Sequence, residues 1–586
     1  MFRVVFFTLV LIVLSPSPGA SAQKAEQGTQ PTIRTETTLV EVPVIVSDKQ
    51  GHPIADLRKE DFLVKEDGKR QEIAVFEHLK HVAAPAIALP VLEGVFTNRV
   101  QQTGPARLTI IAIDAVSTAI TEQQDIRKQL VNFISRNVSV DQPVALVMLA
   151  ENRIKVLHDF TTDPRVLVAA LKNISSGHSA AASLASDDAV VQSIPNPLNS
   201  GMQNMFNQMV AAETDTIQTA FQSFMVGQRR TMVQNSLEAF NEIARAFVGI
   251  PGRKSLIWIT NGASISTGDL DIAANFDRGQ TVLGSTGLPN PIVPRTHDSP
   301  VSIADAGPRT EEYFQKTWKL LNSSDIAVYP LDISEASDPG FTNPALRVRS
   351  GLRRPVNNLD KLEEFAQSTG GSLCLRTSDL DDCFRKASED SQDYYMLGYY
   401  PAPADKKTDW RRIQVSCVRK DVVIRARSGY FPQRTAHHES KDAAAPVLQA
   451  IGSPLEYTSL PLEVKLESPG PTPGDSSKRR VGFTFFVPPT ADFISSADES
   501  MSLTFAALAK LPNATPAAQF LREASGKLKP EAAADLTIHG FALPGFVDLA
   551  PGEYALRCVV RNNLNGHIGS VTVPLKVPNE TGARRK

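Results

Sequence analysis

The chain has 586 residues, too many for a single hydrophobic core, so roughly three or four domains are expected. Hydrophobic residues make up 42% and charged residues 21%, the balance of a globular protein. A formal net charge of −2 gives no reason to expect nucleic acid or an anionic membrane as a partner.

Met1-Phe2-Arg3 leads into an apolar run, Val4–Leu14, and Ala20-Ser21-Ala22 precedes Gln23. A basic start, a short apolar run and a small-x-small step predict an export signal over residues 1–22. The run falls short of the ~20 residues of a membrane-spanning helix, although an uncleaved anchor is the alternative. After cleavage the protein is expected to have no integral membrane segment and to be exported, periplasmic or extracellular. Residues 23–34 read as a flexible leader.

Residues 35–80 have β texture. TTLVEVPVIVSD (Thr37–Asp48) alternates apolar and polar residues, and Asp61–His78 has the form of a hairpin turning at Asp67-Gly68. So few strands cannot make a stable sheet alone. Residues 80–105 are rich in Ala and Pro and read as a connector.

From Leu108 strands alternate with helices. LTIIAI (Leu108–Ile113) precedes a helix with Ile126, Leu130, Phe133 and Ile134 on one face. PVALVML (Pro143–Leu149) reads as a buried strand with RIKVLHDF (Arg153–Phe160) as its hairpin partner. Asp163-Pro164 then predicts the cap and first turn of another helix. Residues 175–228 read as an insertion, followed by a helix with Val233, Leu237, Phe240, Ala244 and Phe247 on one stripe. KSLIWIT (Lys254–Thr260), a helix around Phe314–Leu321, IAVYPLD (Ile326–Asp332), the helix Asn358–Gly371 and SLCLR complete the segment. This alternation implies a doubly wound, mostly parallel sheet over residues 106–392, with ligands beyond the carboxyl ends of its strands. Asp114 and Thr260-Asn261-Gly262 occupy such ends.

β texture returns over residues 393–432. Both β stretches lack partners, so the economical reading is one shared β-sandwich into which the α/β domain is inserted. Residues 433–450 read as a linker, and residues 451–580 as a C-terminal immunoglobulin-like β-sandwich. Its expected strands include AADLTIHGFAL (Ala533–Leu543) and a hairpin over Leu549–Val571 with an Asn-Gly turn.

The four cysteines, Cys374, Cys383, Cys417 and Cys558, permit two disulfides with three connectivities. Closeness in sequence favours Cys374 with Cys383. Cys417 and Cys558 lie in strand-like sequence, where buried thiols are the alternative.

The strings LTIIAIDAVST, KSLIWITNG, IAVYPLD and LEEFAQSTGGSL, with the tail DYYMLGYYPAPADKKTDWRRIQVSCVRKDVVIRARSGY, carry a family resemblance. The α/β segment resembles a von Willebrand factor type A domain. With its flanks, over roughly residues 35–432, the chain resembles the secreted VWFA-related proteins found mainly in Acidobacteria. The resemblance implies a Mg²⁺ site built from Asp-x-Ser-x-Ser, a Thr before a middle helix, and the Asp of Thr-Asp-Gly. Here Asp114 matches the first Asp, Val116 replaces the first Ser, and Thr118 stands for the second. Ser117 lies one place out of register, the middle Thr falls at Thr161 or Thr162, and Asn261 replaces the final Asp. Such a degenerate set would hold Mg²⁺ weakly at best, and no cofactor is required. The competing reading makes Asp114, Ser117 and Thr118 caps of the following helix, with Thr162 or Asp163 capping the next.

Other motifs weigh less. GHSAA (Gly177–Ala181) lacks the last Gly of a nucleophile elbow, and TGGS (Thr369–Ser372) follows a helix and reads as a C-cap. Tyr394, Tyr395, Tyr399 and Tyr400 read as sandwich core and rim. The expected function is that of an exported, non-enzymatic protein-interaction protein of adhesion or scaffold type with an unknown protein ligand. A passive envelope or matrix component with a vestigial site is the alternative. An enzyme requires residues distant in sequence to converge in a cleft.

Overall fold

The computed structural model describes residues 39–80, 94–99, 108–116, 120–138, 142–150, 153–173, 231–260, 306–333, 358–375, 380–401, 410–430, 444–489, 493–495 and 500–579. The expected signal (1–22), leader (23–34) and insertion (175–228), GHSAA, and the site candidates Ser117, Thr118 and Asn261 lie outside the described residues.

The chain begins with β1 (Val40–Ser47), β2 (Phe62–Glu66), β3 (Lys69–Gln71), β4 (Ile73–Lys80) and β5 (Val95–Thr97). The α/β segment opens with β6 (Thr109–Asp114), α1 (Ile120–Asn137), β7 (Val144–Ala150), β8 (Arg153–Thr161) and α2 (Pro164–Lys172). It continues through α3 (231–247), β9 (Lys254–Thr260), α4 (Ala306–Ser323) and β10 (Ile326–Asp332). It ends with α5 (Asn358–Thr369), β11 (Cys374–Leu375) and α6 (Leu380–Gln392). Next come β12 (Asp393–Tyr399), β13 (Arg411–Cys417), β14 (Val423–Ala426), β15 (Gly429–Tyr430) and α7 (Ala444–Gly452). The C-terminal part holds β16 (Glu463–Leu466), β17 (Gly470–Thr472), β18 (Asp475–Val487), β19 (Ile494–Ser495) and β20 (Ser500–Lys510). It closes with β21 (Pro516–Lys527), α8 (Pro530–His539), β22 (Phe541–Leu549), β23 (Gly552–Asn562) and β24 (Ile568–Val577).

The architecture is multidomain, an α/β layer together with antiparallel β-sandwiches. In the six-stranded sheet the order is β11-β10-β9-β6-β7-β8. Neighbours run parallel except β8, which pairs antiparallel with β7. Both faces are buried, which is why these strands read as nearly continuous apolar runs. Ile110, Ala112, Leu256, Trp258 and Val328 pack with α3, α4 and α5, while Ile111, Ile113, Ile257, Ile259 and Tyr329 pack with α1, α2 and α6.

Two four-stranded sheets, β14-β1-β12-β4 and β15-β13-β2-β3, draw strands from both sides of the α/β segment. Their shared core includes Val42, Val44, Phe62, Val64, Tyr395, Leu397 and Tyr399. The β2–β3 turn places Asp67 (φ 47°) and Gly68 (φ 81°) in the left-handed region, the pair a type I′ hairpin needs. Tyr394, Tyr395 and Tyr399 are buried and Tyr400 is exposed. Arg425 of β14 pairs with Asp390 of α6, which also accepts the Tyr329 hydroxyl at 2.7 Å, so charge ties the sandwich to the α/β layer.

The C-terminal part is a sandwich of two five-stranded sheets. Three local readings are corrected there. The connector over 80–105 contributes β5, which pairs antiparallel with β16, and Asn98 Nδ2 donates to the carbonyls of Tyr457 and Leu460. The linker read over 433–450 gives way at Ala444 to helix α7, because Val447 and Ala450 bury against β20 and β23. Within the segment expected as a strand, Ala533–Leu543, residues up to His539 belong to α8. Pro530 fits its first turn, alanines follow, and Gly540 at φ 77° ends it before β22 begins. Among the described residues no helix is long and apolar enough to cross a membrane.

Candidate functional site

The carboxyl ends of β6, β9 and β10 bring together Asp114, Thr260 and Asp332. Counting in twos along each strand places all three on the α3/α4/α5 side of the sheet, where Ala112, Trp258 and Val328 lie. Thr260 stands in register with Asp332 on β10, and β6 flanks β9 on the other side. The three side chains are 0%, 0% and 5% exposed, so a polar row closes an otherwise apolar face.

Both oxygens of Asp114 are engaged within the protein. Oδ1 accepts the Val116 backbone N–H at 3.0 Å, and Oδ2 accepts the Thr260 hydroxyl at 2.8 Å. The first bond is an Asx-type turn that shapes the loop leaving the strand. The second ties the end of β9 to the end of β6. Val116 is 1% exposed and belongs to the apolar cluster beneath the site, so it offers no ligand oxygen and no opening.

Thr161 and Thr162 do not join Asp114, which corrects the expectation that one of them supplies the middle hydroxyl. Because β8 runs antiparallel to β7, Thr161 pairs with Val144 at the amino end of the sheet, whereas Asp114 stands beside Leu149 at the carboxyl end. Five residue steps separate the two ends, roughly 16 Å of strand. At its own end Thr161 Oγ1 accepts the Asp163 N–H at 3.1 Å. Asp163 is the N-cap of α2, accepting the Arg165 N–H at 2.9 Å. A Thr before a helix fits both patterns, and only strand direction separates them.

Of the implied Mg²⁺ ligands, the described ones do not fit the ion. Asp114 already accepts from two internal donors, Val116 is core and carries no oxygen, and the two threonines stand at the opposite pole, so one carboxylate is all the described set offers. Among the described residues no group of three or more His, Cys, Asp or Glu is placed to hold a metal ion. The sequence places Thr260 at the carboxyl end of a strand without joining it to Asp114, and Asp332 was not singled out, since it looks like the last letter of a buried strand. Their signal was the period of two, which aligns both with Asp114 once the strand order is known.

Beside this row, Cys374 and Cys383 form a disulfide that joins β11 to the first turn of α6. Cys374 pairs with Leu331 and Leu375 with Asp332, so the crosslink lies at the same end of the sheet. Leu375 is half exposed. Gly370 (φ 77°) and Gly371 end α5, and a Cβ on Gly371 would lie 1.9 Å from the Val328 carbonyl oxygen, so TGGS is a C-cap pressed against β10.

No protein-family model matches the chain, and no curated protein shows a significant match. Solved structures with partial likeness include the SpRpn10 VWA domain, at 11% identity over 48% of this chain and 95% of that one, with a TM-score of 0.19. The three N-terminal domains of the type V pili tip protein Mfa5 from Porphyromonas gingivalis align at 8% identity over 87% and 78%, TM-score 0.22. The pilus adhesin SpaC from Lactobacillus rhamnosus GG, in its open conformation, aligns at 10% over 88% and 56%, TM-score 0.24. Likenesses this weak carry no argument about function.

Proposed function

We propose that the chain is an exported, non-enzymatic protein-interaction protein of adhesion or scaffold type, presenting a von Willebrand A-like layer between β-sandwiches. The observation that carries the reading is the polar row Asp114–Thr260–Asp332 at the carboxyl ends of adjacent parallel strands, the edge where open α/β sheets receive ligands. The strings LTIIAIDAVST and KSLIWITNG support the A-type reading of the layer, and the run over residues 1–22 supports export. The reading of the metal site as degenerate is supported by Val116 and Asn261 standing where the pattern has Ser and Asp, and by Asp114 already accepting from Val116 and Thr260.

The test is retention of envelope or secreted proteins on the immobilised full chain. A partner held through this edge should be lost on Leu375→Glu, an exposed substitution beside Asp332, and kept on Arg522→Glu on β21. Equal retention by both variants would refute the docking edge. Calorimetric titration with Mg²⁺, Mn²⁺ and Ca²⁺ should show no binding tighter than about millimolar. Tighter binding that disappears in Asp114→Ala would overturn the degenerate site.

A further inference from the structure

A cavity of about 260 Å³ lies where the α/β layer meets the C-terminal sandwich. It sits near the amino end of the parallel sheet, away from Asp114, since Asp159 and Phe160 lie near the end of β8 and Ile250 precedes β9. Its walls come from four distant stretches: Arg99 beside β5, Asp159 and Phe160 of β8, Phe247 of α3, and Leu455 and Glu456 after α7.

Phe160 and Phe247 form an aromatic wall, edge to face with centroids 5.2 Å apart. Asp159 and Glu456 add two carboxylates. Each gives one oxygen to a backbone N–H, Asp159 Oδ1 to Phe160 and Glu456 Oε1 to Thr572, both at 2.8 Å. A carboxylate offers about four lone-pair sites, so both retain capacity to accept. Burial pushes the Glu456 carboxyl above its ordinary range against the Thr572 N–H and the Arg557 charge, and Asp159 adds a smaller push. The guanidinium on the wall, Arg99, lies 4.0 Å from Glu463, a residue outside the cavity lining.

We propose that this cavity binds the ammonium group of a lysine side chain presented by a partner polypeptide. The carboxylates supply charge-assisted acceptors, the aromatic wall supplies cation–π attraction, and a cation relieves the like-charge pair that the fold brings together. An anionic group would meet these two carboxylates against the single charge of Arg99 on the wall. The proposal deepens the reading of the chain as an interaction protein but does not depend on the carboxyl-end edge, because the two surfaces share no residue. Its walls belong to both the α/β layer and the C-terminal sandwich, so occupancy stabilises their junction.

The full chain is titrated by calorimetry and protein-observed NMR with Nα-acetyl-lysine methylamide, and with the norleucine counterpart as a neutral control. The lysine probe should saturate, raise the melting temperature and bind about tenfold more tightly than norleucine. Glu456→Gln and Asp159→Asn keep acceptors for the Thr572 and Phe160 N–H groups, so they should fold, and each should weaken the lysine probe about tenfold. Phe160→Leu should weaken it while preserving apolar volume. Equal binding of both probes, unchanged binding in both carboxamide variants, or no saturation by the lysine probe at millimolar concentration would each overturn the site. Because this test uses a small amine, its failure leaves the Leu375 experiment standing, and the reverse holds as well.

Discussion

Thr260 Oγ1 donates a 2.8 Å hydrogen bond to Asp114 Oδ2 between two strands, with both residues fully buried. Thr260→Val keeps the shape and removes the donor, so a buried charge-assisted bond is lost and Asp114 is left less satisfied. The expected cost is about 1–3 kcal/mol, while Thr260→Ser should stay within about 1 kcal/mol of the parent. Urea unfolding midpoints of the two variants provide the check. Equal stability of Thr260→Val and the parent would show that the bond contributes nothing.

Lys254 at the start of β9 is 1% exposed, and its Nζ donates to the carbonyls of Ile250 (2.6 Å) and Gly252 (2.9 Å). Burial lowers its pKa to about 8, with Asp325 opposing the shift. The folded chain therefore releases this proton before the unfolded chain, whose lysine titrates near 10.5. Between those values the unfolded state binds more protons, so stability rises with pH across that window and is depressed below it. The full effect is roughly 3 kcal/mol at most. In denaturation curves at intervals from pH 7 to 10, the stability of the parent relative to Lys254→Met should climb with pH. A flat difference would mean that Lys254 is no harder to charge when folded.

Much of the α/β layer was legible because its signals are local. Ile126, Leu130, Phe133 and Ile134 repeat at helical spacing, and IAVYPLD and KSLIWIT are continuous apolar strands because both sheet faces are covered. Asp114 and Thr260 were legible as strand ends, but their adjacency and the place of Asp332 beside them were not, since which strand ends are neighbours is a property of topology. The same limit misplaced Thr161, whose local pattern fits a site Thr and a helix cap alike. At three residues β5 is too short to show any period, and its partner β16 lies more than 350 residues away. In α7, Ala and Pro look like linker until Val447 and Ala450 find the sandwich they cover.

Glu66 and Arg411 form an ion pair at 2.5 Å inside the first sandwich, each side chain 6% exposed. Tyr399 and Tyr430 donate their hydroxyls to Glu66 Oε2 at 2.7 and 2.8 Å, and burial pushes both phenols well above their ordinary range. Three donors converge on one buried carboxylate, so removing the guanidinium leaves the Glu66 charge uncompensated. Arg411→Met should cost about 3–5 kcal/mol, and Glu66→Leu with Arg411→Met should recover part of that loss. A thermal or chemical denaturation cycle gives the coupling. Additive losses in the double variant would deny the pair any interaction.

Gly249 holds the C-terminal sandwich against the α/β layer by having no side chain. A Cβ there would lie 1.9 Å from the backbone oxygen of Thr458, which cannot swing aside as a side chain would. The approach is fixed by two bonds to the Ala246 carbonyl, from the Thr458 N–H at 3.0 Å and the Thr458 hydroxyl at 2.7 Å. Gly249→Ala must therefore part the two surfaces, at a cost of about 1–3 kcal/mol by comparison with overpacked cores. The loss should fall on the junction, so amides of residues 455–460 should exchange faster in the variant while those of the β23–β24 pair keep their protection. Uniform acceleration across both regions would instead show that Gly249 stabilises the whole fold and that the junction has no separate opening.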